Sequence, residues 1–374
     1  MASRYPSASR VRPVIATATM GYGHLRAAAA LAEGLDGELA QIDRAPYANV
    51  LERWVWRTAL AAHTRLSRLS QRPVAGAPFR GLFNAVTRIP TQPRPGASGR
   101  GAARLMSALI GAGFGRTLAD RMAGTRAPVV STFYAPALAL DQCAGPPLAC
   151  LVTDSEAHRV WAPLEPHRGR ILYLAPTEEV QARLLSIGVP SQRVHTTGFP
   201  LPAALAQDDL AGNHLERRCR VFAAAAEGRT LTPPRLTIAI GGAGAQADRG
   251  RVLLGALAPM LASGQLRLGL VAGTDRGLAA TFDRWRTAAG LARAVEIVCA
   301  SDFMTYYRRF NDLLADTDVL WTKPSELVFY AALGLPLVLD NPMGHHEWHN
   351  QRWVIARGAG VVRPDLGRAH EWFV

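Results

Sequence analysis

The residues best suited to chemistry gather where apolar runs end. Val11 to Ala18 runs into Thr19-Met20-Gly21-Tyr22-Gly23-His24, and Leu148 to Thr153 runs into Asp154, with His158 and Trp161 just beyond. A glycine turn between a strand and a helix lets backbone amides approach phosphate, while the helix dipole favours the negative charge. His24 follows such a turn, where a base would meet an acceptor entering above a departing phosphate. The plainer role for it is a helix-start histidine bonded to the backbone. Asp154, with His158 four residues on, suits polarising an attacking hydroxyl or simply capping a loop, and both readings stand. In the second half, Leu236 to Ile240 enters Gly241-Gly242-Ala243-Gly244. Amides of Gly21, Gly23, Gly242 and Gly244 are thereby expected to converge on a diphosphate leaving group. Neither turn is a clean G-x-G-x-x-G, and although Asp43 lies at the usual distance for a ribose acid, a dehydrogenase ranks low.

The segment Trp321 to Asn350 holds a second set. Lys323 is the only lysine among 42 basic residues, and its place in a Lys-Pro turn hints that a compact ammonium is wanted there. Ser325 is expected to cap the next helix, with Glu326 in its first turn, where the dipole favours a carboxylate. Gly334-Leu335-Pro336 stops that helix before the strand Leu337-Val338-Leu339. His345, His346, Glu347, His349 and Asn350 follow. Positions 345 and 349 share a helical face, but the spacing is no H-E-x-x-H and no distant carboxylate is evident. No metal is expected there; hydrogen bonds to ligand hydroxyls are.

These residues need elements to hold them. Predicted strands are Val11 to Ala18, Glu38 to Asp43, Pro128 to Thr132, Leu148 to Thr153, Ile171 to Ala175 and Val194 to Gly198. Leu236 to Ile240, Leu266 to Ala272, Val295 to Cys299, Thr317 to Trp321 and Leu337 to Leu339 form a second series. Helices are predicted between them, among them one to Leu35, Glu178 to Ile187, Arg249 to Leu261, Gly277 to Ala289 and Asp302 to Leu314. Alternation of this kind implies two parallel-sheet α/β domains, each opening with a strand that feeds a glycine loop, and ligands bind at the carboxyl ends of such strands. The predicted division is 1–205, a linker 206–234, and 235–374. A chain of 374 residues suits two domains of about 150 to 200 residues each.

Charge is unevenly placed. Arg53 to Arg126 holds thirteen arginines and a single acid, Asp120, out of a whole-chain net charge of +13. Within Leu51 to Arg72, Arg53, Arg57, Arg65, Arg68 and Arg72 fall on one helical stripe, and Leu51, Val55, Ala62, Leu66 and Leu69 on the next. This basic helical insertion, about 51–126, reads either as a helix in an anionic membrane interface or as a buried face with solvated arginines. Pro78 to Pro90 adds apolar residues between further arginines. Nucleic acid is not an expected partner, because no reader motif is present. The four cysteines form no Cys-x-x-Cys pair, which suggests reduced thiols and a cytoplasmic protein. No apolar run reaches the roughly 18 residues of a membrane span.

Taken together, these segments resemble the two-domain glycosyltransferases of the monogalactosyldiacylglycerol synthase and MurG type. ATATMGYGHLRAA is similar to that family's N-terminal glycine loop, LVTDSEAHRVWA to its Thr-Asp segment and TTGFPL to its Gly-x-Pro turn. IAIGGAGAQ resembles the donor loop, WTKPSEL the Lys-Pro-Gly-Gly turn, and HHEWHNQRWVIARGAG the sugar-contacting segment. The resemblance implies a GT-B fold, two Rossmann-like doubly wound domains facing a cleft. It implies an inverting, metal-independent and cofactor-free transfer from a UDP-sugar donor to a hydroxyl of a lipid or other membrane-associated acceptor. His24 or Asp154 would take the proton, with His24 favoured. Lys323 and the glycine loops would receive the diphosphate charge, Glu326 the ribose, and Glu347 and Asn350 the sugar, with His346, Ser325, His158 and Trp161 as further contacts. A UDP-sugar epimerase of the same fold, or a binding protein without turnover, is the alternative. Ser325-Glu326 stands where the family has two glycines, and the helix after the turn is shorter than the family's, so its ribose acid has no exact counterpart. The chain stops at Trp372-Phe373-Val374 where the family continues, and so reads as truncated. The place implied is the cytoplasm, peripheral on the inner face of the membrane.

Overall fold

A computed structural model of the protein describes residues 11–70, 100–206, 233–239, 247–342, 345–362 and 365–372, with scattered positions between 216 and 228. Its first sheet contains β1 (Val14–Thr17), β2 (Glu38–Gln41), β3 (Val129–Ser131), β4 (Leu148–Leu151), β5 (Leu172–Ala175) and β6 (Val194–Thr196), ordered β2-β1-β3-β4-β5-β6. Every pairing in it is parallel. The second contains β7 (Arg235–Ala239), β8 (Arg267–Gly273), β9 (Val295–Cys299), β10 (Val319–Thr322), β11 (Leu337–Leu339) and β12 (Gly360–Val362), also all parallel. Its order, β12-β11-β10-β7-β8-β9, is the 3-2-1-4-5-6 order of dinucleotide-binding folds read from β9. Each sheet reverses direction once, between β1 and β3 and between β7 and β10. A crevice opens at such a reversal, because the two flanking connections leave in opposite directions. Two Rossmann-like, doubly wound sheets thus face one cleft, as expected of a GT-B fold.

The central strands are short, mostly apolar and largely buried, which is what helices covering both sides of a parallel sheet require, while the edge strands β2, β6 and β12 are partly exposed. Val14–Thr17 and Val319–Thr322 are buried throughout. Helix α1 (Tyr22–Leu35) packs Leu25 and the alanines Ala27 to Ala30 inward, small side chains that favour helix and allow close approach. Later helices start on side-chain caps: Asp275 accepts from Leu278 N at 2.9 Å and Asp302 from Thr305 N at 2.9 Å.

Helix α2 (Val50–Ser70) opens on a capping box. Asn49 N donates to Glu52 Oε2 at 2.8 Å and Glu52 N to Asn49 Oδ1 at 2.9 Å. Glu52 also accepts Gly115 N at 2.9 Å, ahead of the helix Arg116–Met122, so one carboxylate ties two helix starts together. The face that α2 buries carries Glu52 and Trp56; Leu51 is 70% exposed and Trp54 59%, and the side chains of Leu66 and Leu69 lie outside the described residues. Beyond α2, residues 71–99, including Pro78 to Pro90, lie outside the described residues. Helix α3 (Arg100–Gly111) resumes the basic region and exposes Leu105 beside Arg104.

Three elements differ from the sequence reading. Helix α4 (Tyr134–Asp141) was not expected; YAPALALD is apolar all round and so shows no helical period. β12 is a three-residue strand that begins on Gly360, too short to signal itself. The helix after the Lys-Pro turn, α5 (Leu327–Ala332), has Glu326, not Ser325, at its cap. Ser325 N donates to Lys323 O at 2.7 Å, so Ser325 is used up in the turn itself. Glu326 takes the cap position at φ 56 with no side-chain cap bond, which frees its carboxylate to point elsewhere.

Candidate functional site

At the first reversal the hydroxyls of Thr132 and Thr17, at the ends of β3 and β1, meet at 2.9 Å. Thr132 Oγ1 reaches the backbone oxygen of His24 at 3.0 Å and anchors the start of α1. His24 Nδ1 lies 3.1 Å from Thr132 O and 2.8 Å from Thr153 Oγ1. A carbonyl oxygen only accepts, so Nδ1 carries the proton in the neutral ring and Nε2 keeps the basic lone pair. The ring rests edge-on against Phe133, centroids 4.6 Å apart, and near Trp161 at 6.2 Å. Trp161 is buried, with its carbonyl accepting Tyr173 OH at 2.9 Å; it is a wall behind the histidine. His158 caps the short turn before Trp161 by accepting Val160 N at 3.2 Å. Asp43 is engaged with the turn, accepting Thr19 N at 3.2 Å.

The loop that holds Asp154 is fixed from both sides. Glu156 pairs with Arg183 at 2.9 Å. Ser155 donates from N and Oγ to Asn350 Oδ1 at 3.1 and 2.6 Å. Asn350 Nδ2 in turn faces Pro324 O at 3.2 Å and Asp154 Oδ1 at 3.5 Å. The Asn350 amide, 1% exposed, therefore joins the Asp154 loop of one half to the Lys-Pro turn of the other. A sugar hydroxyl at Asn350 would have to replace one of these bonds.

At the second reversal a small cavity is lined by Ala239, Trp321, Thr322, Lys323, Arg249 and Asp340. Lys323 Nζ lies 3.0 Å from Glu347 Oε1, in the first turn of α6 (His345–Ala356), and Glu347 is buried. Arg249 and Asp340 form a second ion pair in the same wall. Burial pushes the Asp340 carboxyl upward, Arg249 opposes it and Glu347 adds to it. A neighbouring cavity shares Ala239 and Thr322 and adds Tyr22, Gly273, Tyr306, Ser325, Glu326 and Tyr330. Tyr22 of the first glycine turn and Lys323 of the second half thus line adjoining spaces.

Helix α1 closes the arrangement. Tyr22 OH is 2.9 Å from Thr274 Oγ1, and its ring packs on Tyr306 at 5.0 Å. Gly273, at φ 65, leaves room for that ring; a Cβ there would meet it at 3.2 Å. Arg26, fully buried, enters the second half, pairs with Glu326 Oε2 at 3.4 Å and donates to Asn311 Oδ1 at 3.0 Å. Its guanidinium lies over Phe329 at 4.6 Å and Phe310 at 5.0 Å. Gly21, at φ 137, has open space above it, whereas the space above Gly23 holds the Glu326 side chain, 3.1 Å from where a Cβ would stand.

The structure therefore brings His24, Asp154, Gly21, Gly23, Lys323, Ser325, Glu326, Glu347 and Asn350 to one cleft. Gly242 and Gly244 lie outside the described residues, as does the side chain of His346. The rings of His345 and His349 stand 6.0 Å apart on one helical face, and among the described residues no group of three metal-ligating side chains is gathered. Arg26, Tyr22, Ser155, Tyr330, Arg249 and Asp340 were not singled out from sequence. A signal for two of them exists: Tyr22, Arg26 and Glu33 make a polar stripe on a helix whose other positions are mostly alanine and leucine.

No protein-family model matches the chain, and no curated protein matches it. Among solved structures the chain is similar to UDP-GlcNAc 2-epimerase from Neisseria meningitidis bound to UDP-GlcNAc, at 12% identity and a TM-score of 0.46, over 97% of this chain and 90% of that one. It is similar to Anabaena HepE in complex with UDP and glucose, at 13% identity and a TM-score of 0.40, over 96% and 88%. A third is WaaG, a glycosyltransferase involved in lipopolysaccharide biosynthesis, at 11% identity and a TM-score of 0.35, over 73% and 86%. The functional reading rests on the site itself.

Proposed function

We propose that the chain is a glycosyltransferase of the monogalactosyldiacylglycerol synthase and MurG kind. It moves a sugar from a UDP-sugar to a hydroxyl of a lipid or other membrane-associated acceptor, by one inverting displacement without a metal. The observation that carries this reading is the histidine at the head of α1. Thr132 O and Thr153 Oγ1 hold its Nδ1, which leaves Nε2 as the basic nitrogen of the ring, and Thr153 directly precedes Asp154 in the chain. In the proposed reaction Nε2 accepts the acceptor proton as its oxygen attacks the anomeric carbon and the diphosphate departs. Backbone amides of the two glycine turns and Lys323 receive the charge that develops on the leaving group, the kind of preorganised stabilisation that contributes most to such reactions. Lys323 would exchange its Glu347 partner for phosphate, which leaves Glu347, with Asn350, to the sugar. Residues 1–205 take the acceptor and 235–374 the donor.

An anionic membrane is the proposed source of the acceptor. Val50, Leu51, Trp54 and Leu105 are exposed beside Arg53, Arg57 and Arg104, an apolar and basic mixture suited to a lipid headgroup layer. Among the described residues no helix is long and apolar enough to cross a membrane. A cytoplasmic, peripheral protein is the corresponding proposal.

One observation favours the epimerase reading: buried contacts of Arg26 and Asn350 tie the two halves together at two points. A reaction without a second substrate would need no wider opening between them. Calorimetric titration with UDP, followed by incubation of radiolabelled UDP-sugars with extracted lipids, separates the readings. Label in the lipid phase supports transfer; an isomerised sugar nucleotide with no lipid present supports epimerisation. Binding of UDP without any turnover supports a binding protein, and no binding of UDP by folded protein refutes all three. His24→Gln should lower kcat by about 100- to 10,000-fold while leaving UDP affinity unchanged, the range expected for loss of a general base.

A further inference from the structure

Glu326 occupies an unusual position for an acid. Its φ of 56 places it in the left-handed region, which a residue with a Cβ adopts at a cost and keeps where surrounding structure demands it. The demand is visible. Glu326 Oε2 receives Arg26 Nε at 3.4 Å and Tyr330 OH at 3.1 Å, while Oε1 has no hydrogen bond among the described residues. Burial, with Glu326 next to it, pushes the Tyr330 hydroxyl well above its ordinary pKa, so it remains a donor at all working pH values. Glu326 lines the cavity that neighbours the one at the second reversal, beside Tyr22, Gly273, Thr322 and Ser325.

Arg26 belongs to the first half, yet the groups that hold it, Asn311, Phe310, Phe329 and Glu326, all belong to the second. Its guanidinium reaches Glu326 only when the halves are together. We infer that Arg26 and Tyr330 are positioning residues that aim Glu326 Oε1 at the vicinal ribose hydroxyls of a bound nucleoside diphosphate, so that ribose recognition is completed by closure of the two halves. This rests on the proposed UDP-sugar reading and on Glu326 as its ribose contact. The competing role is that Glu326 only neutralises a buried arginine, in which case the contact matters for stability alone.

The test uses the full chain and two probes, UDP and 2′,3′-dideoxy-UDP, by calorimetric titration of wild type, Glu326→Gln, Tyr330→Phe and Arg26→Lys, with thermal unfolding in parallel. Wild type should bind UDP at least about tenfold more tightly than the dideoxy analogue, the usual worth of hydrogen bonds to a charged group. Glu326→Gln should bring that ratio close to one. Tyr330→Phe, which keeps the ring and so the packing, should lower the ratio several-fold and leave affinity for the dideoxy analogue unchanged. Arg26→Lys should lower it further. A ratio lost in Glu326→Gln but intact in both Tyr330→Phe and Arg26→Lys overturns the positioning role alone, whatever happens to the melting temperature. No UDP binding by wild type, or an unchanged ratio in Glu326→Gln, overturns the ribose reading and this inference with it.

Discussion

Along α1 the first half meets the second through Tyr22 and Arg26, which reach a bed of Tyr306, Phe310 and Phe329 with no exposure left at the arginine. Along α6 the halves meet through Asn350, Trp353 and Arg357, which reach Ser155 and Glu179. The first seam surrounds one cation with rings; the second grades from a buried amide to an ion pair whose partners are 41% and 44% exposed. The α1 seam therefore carries more of the energy that holds the halves together, and the α6 seam is the one that can open at lower cost.

Replacing Arg26 tests that difference most severely. Arg26→Ala leaves Asn311 Oδ1 and Glu326 without their cation, and opens a hole among Phe310, Phe329 and Tyr307. Breaking a buried pair by removing one partner costs about 3–5 kcal/mol, and urea unfolding should show a loss of that size. A loss below about 1 kcal/mol, the value of an exposed pair, would place α1 and α6 on an equal footing and end the comparison.

Asn350 is the deepest contact of the other seam. Asn350→Ala strands the Ser155 N–H and hydroxyl and the Pro324 carbonyl, all buried. An unsatisfied buried group costs about 1–3 kcal/mol, so this variant should unfold at lower urea than wild type, and a loss larger than that of Arg26→Ala would reverse the ranking of the two seams. Ser155→Ala, which loses only the 2.6 Å hydroxyl bond, should cost less than Asn350→Ala. The reverse order would mean that the loop, not the amide bridge, holds this end of the cleft.

The same contrast explains how much could be read from the residues alone. Runs such as Leu148 to Leu151 and Leu337 to Leu339 announce buried parallel strands by composition, and the polar residues that end them, Thr153, Asp154, Thr322 and Lys323, announce the functional edge. Those signals are local, so the α/β order and the polar strand ends were legible, while the second glycine turn lies outside the described residues. Arg26 was not, because an arginine in an alanine-rich helix reads as a solvated group until a second body is set against it. Asn350 was legible as a polar residue at the right edge, but its saturation by Ser155 and Pro324 depends on a partner nearly two hundred residues away. Glu326 was misplaced by a single position, since the Ser325 N–H to Lys323 O bond tightens the turn and moves the helix start.

The outer end of the α6 seam gives the smallest effect and the one with a distinctive pH signature. Glu179 accepts Arg357 Nη2 at 2.9 Å and Trp353 Nε1 at 3.2 Å. Burial raises the Glu179 carboxyl, but its own backbone N–H and Arg357 outweigh that and hold it below the usual carboxylate range. A depressed folded value means that the unfolded chain binds the proton more readily, so the contribution is complete above the unfolded pKa of about 4.3 and fades as pH falls through the folded value. Both partners are more than a third exposed, so solvent screening limits the pair to about 0–1 kcal/mol. Glu179→Gln should therefore lower stability by no more than that at pH 7, less still in high salt, and match wild type near pH 3. Arg26→Ala should keep most of its deficit over the same range, because a guanidinium stays charged and Asn311 does not titrate. If the Glu179→Gln deficit instead persisted unchanged into acid, packing of Trp353 and not charge would hold the outer end of this seam.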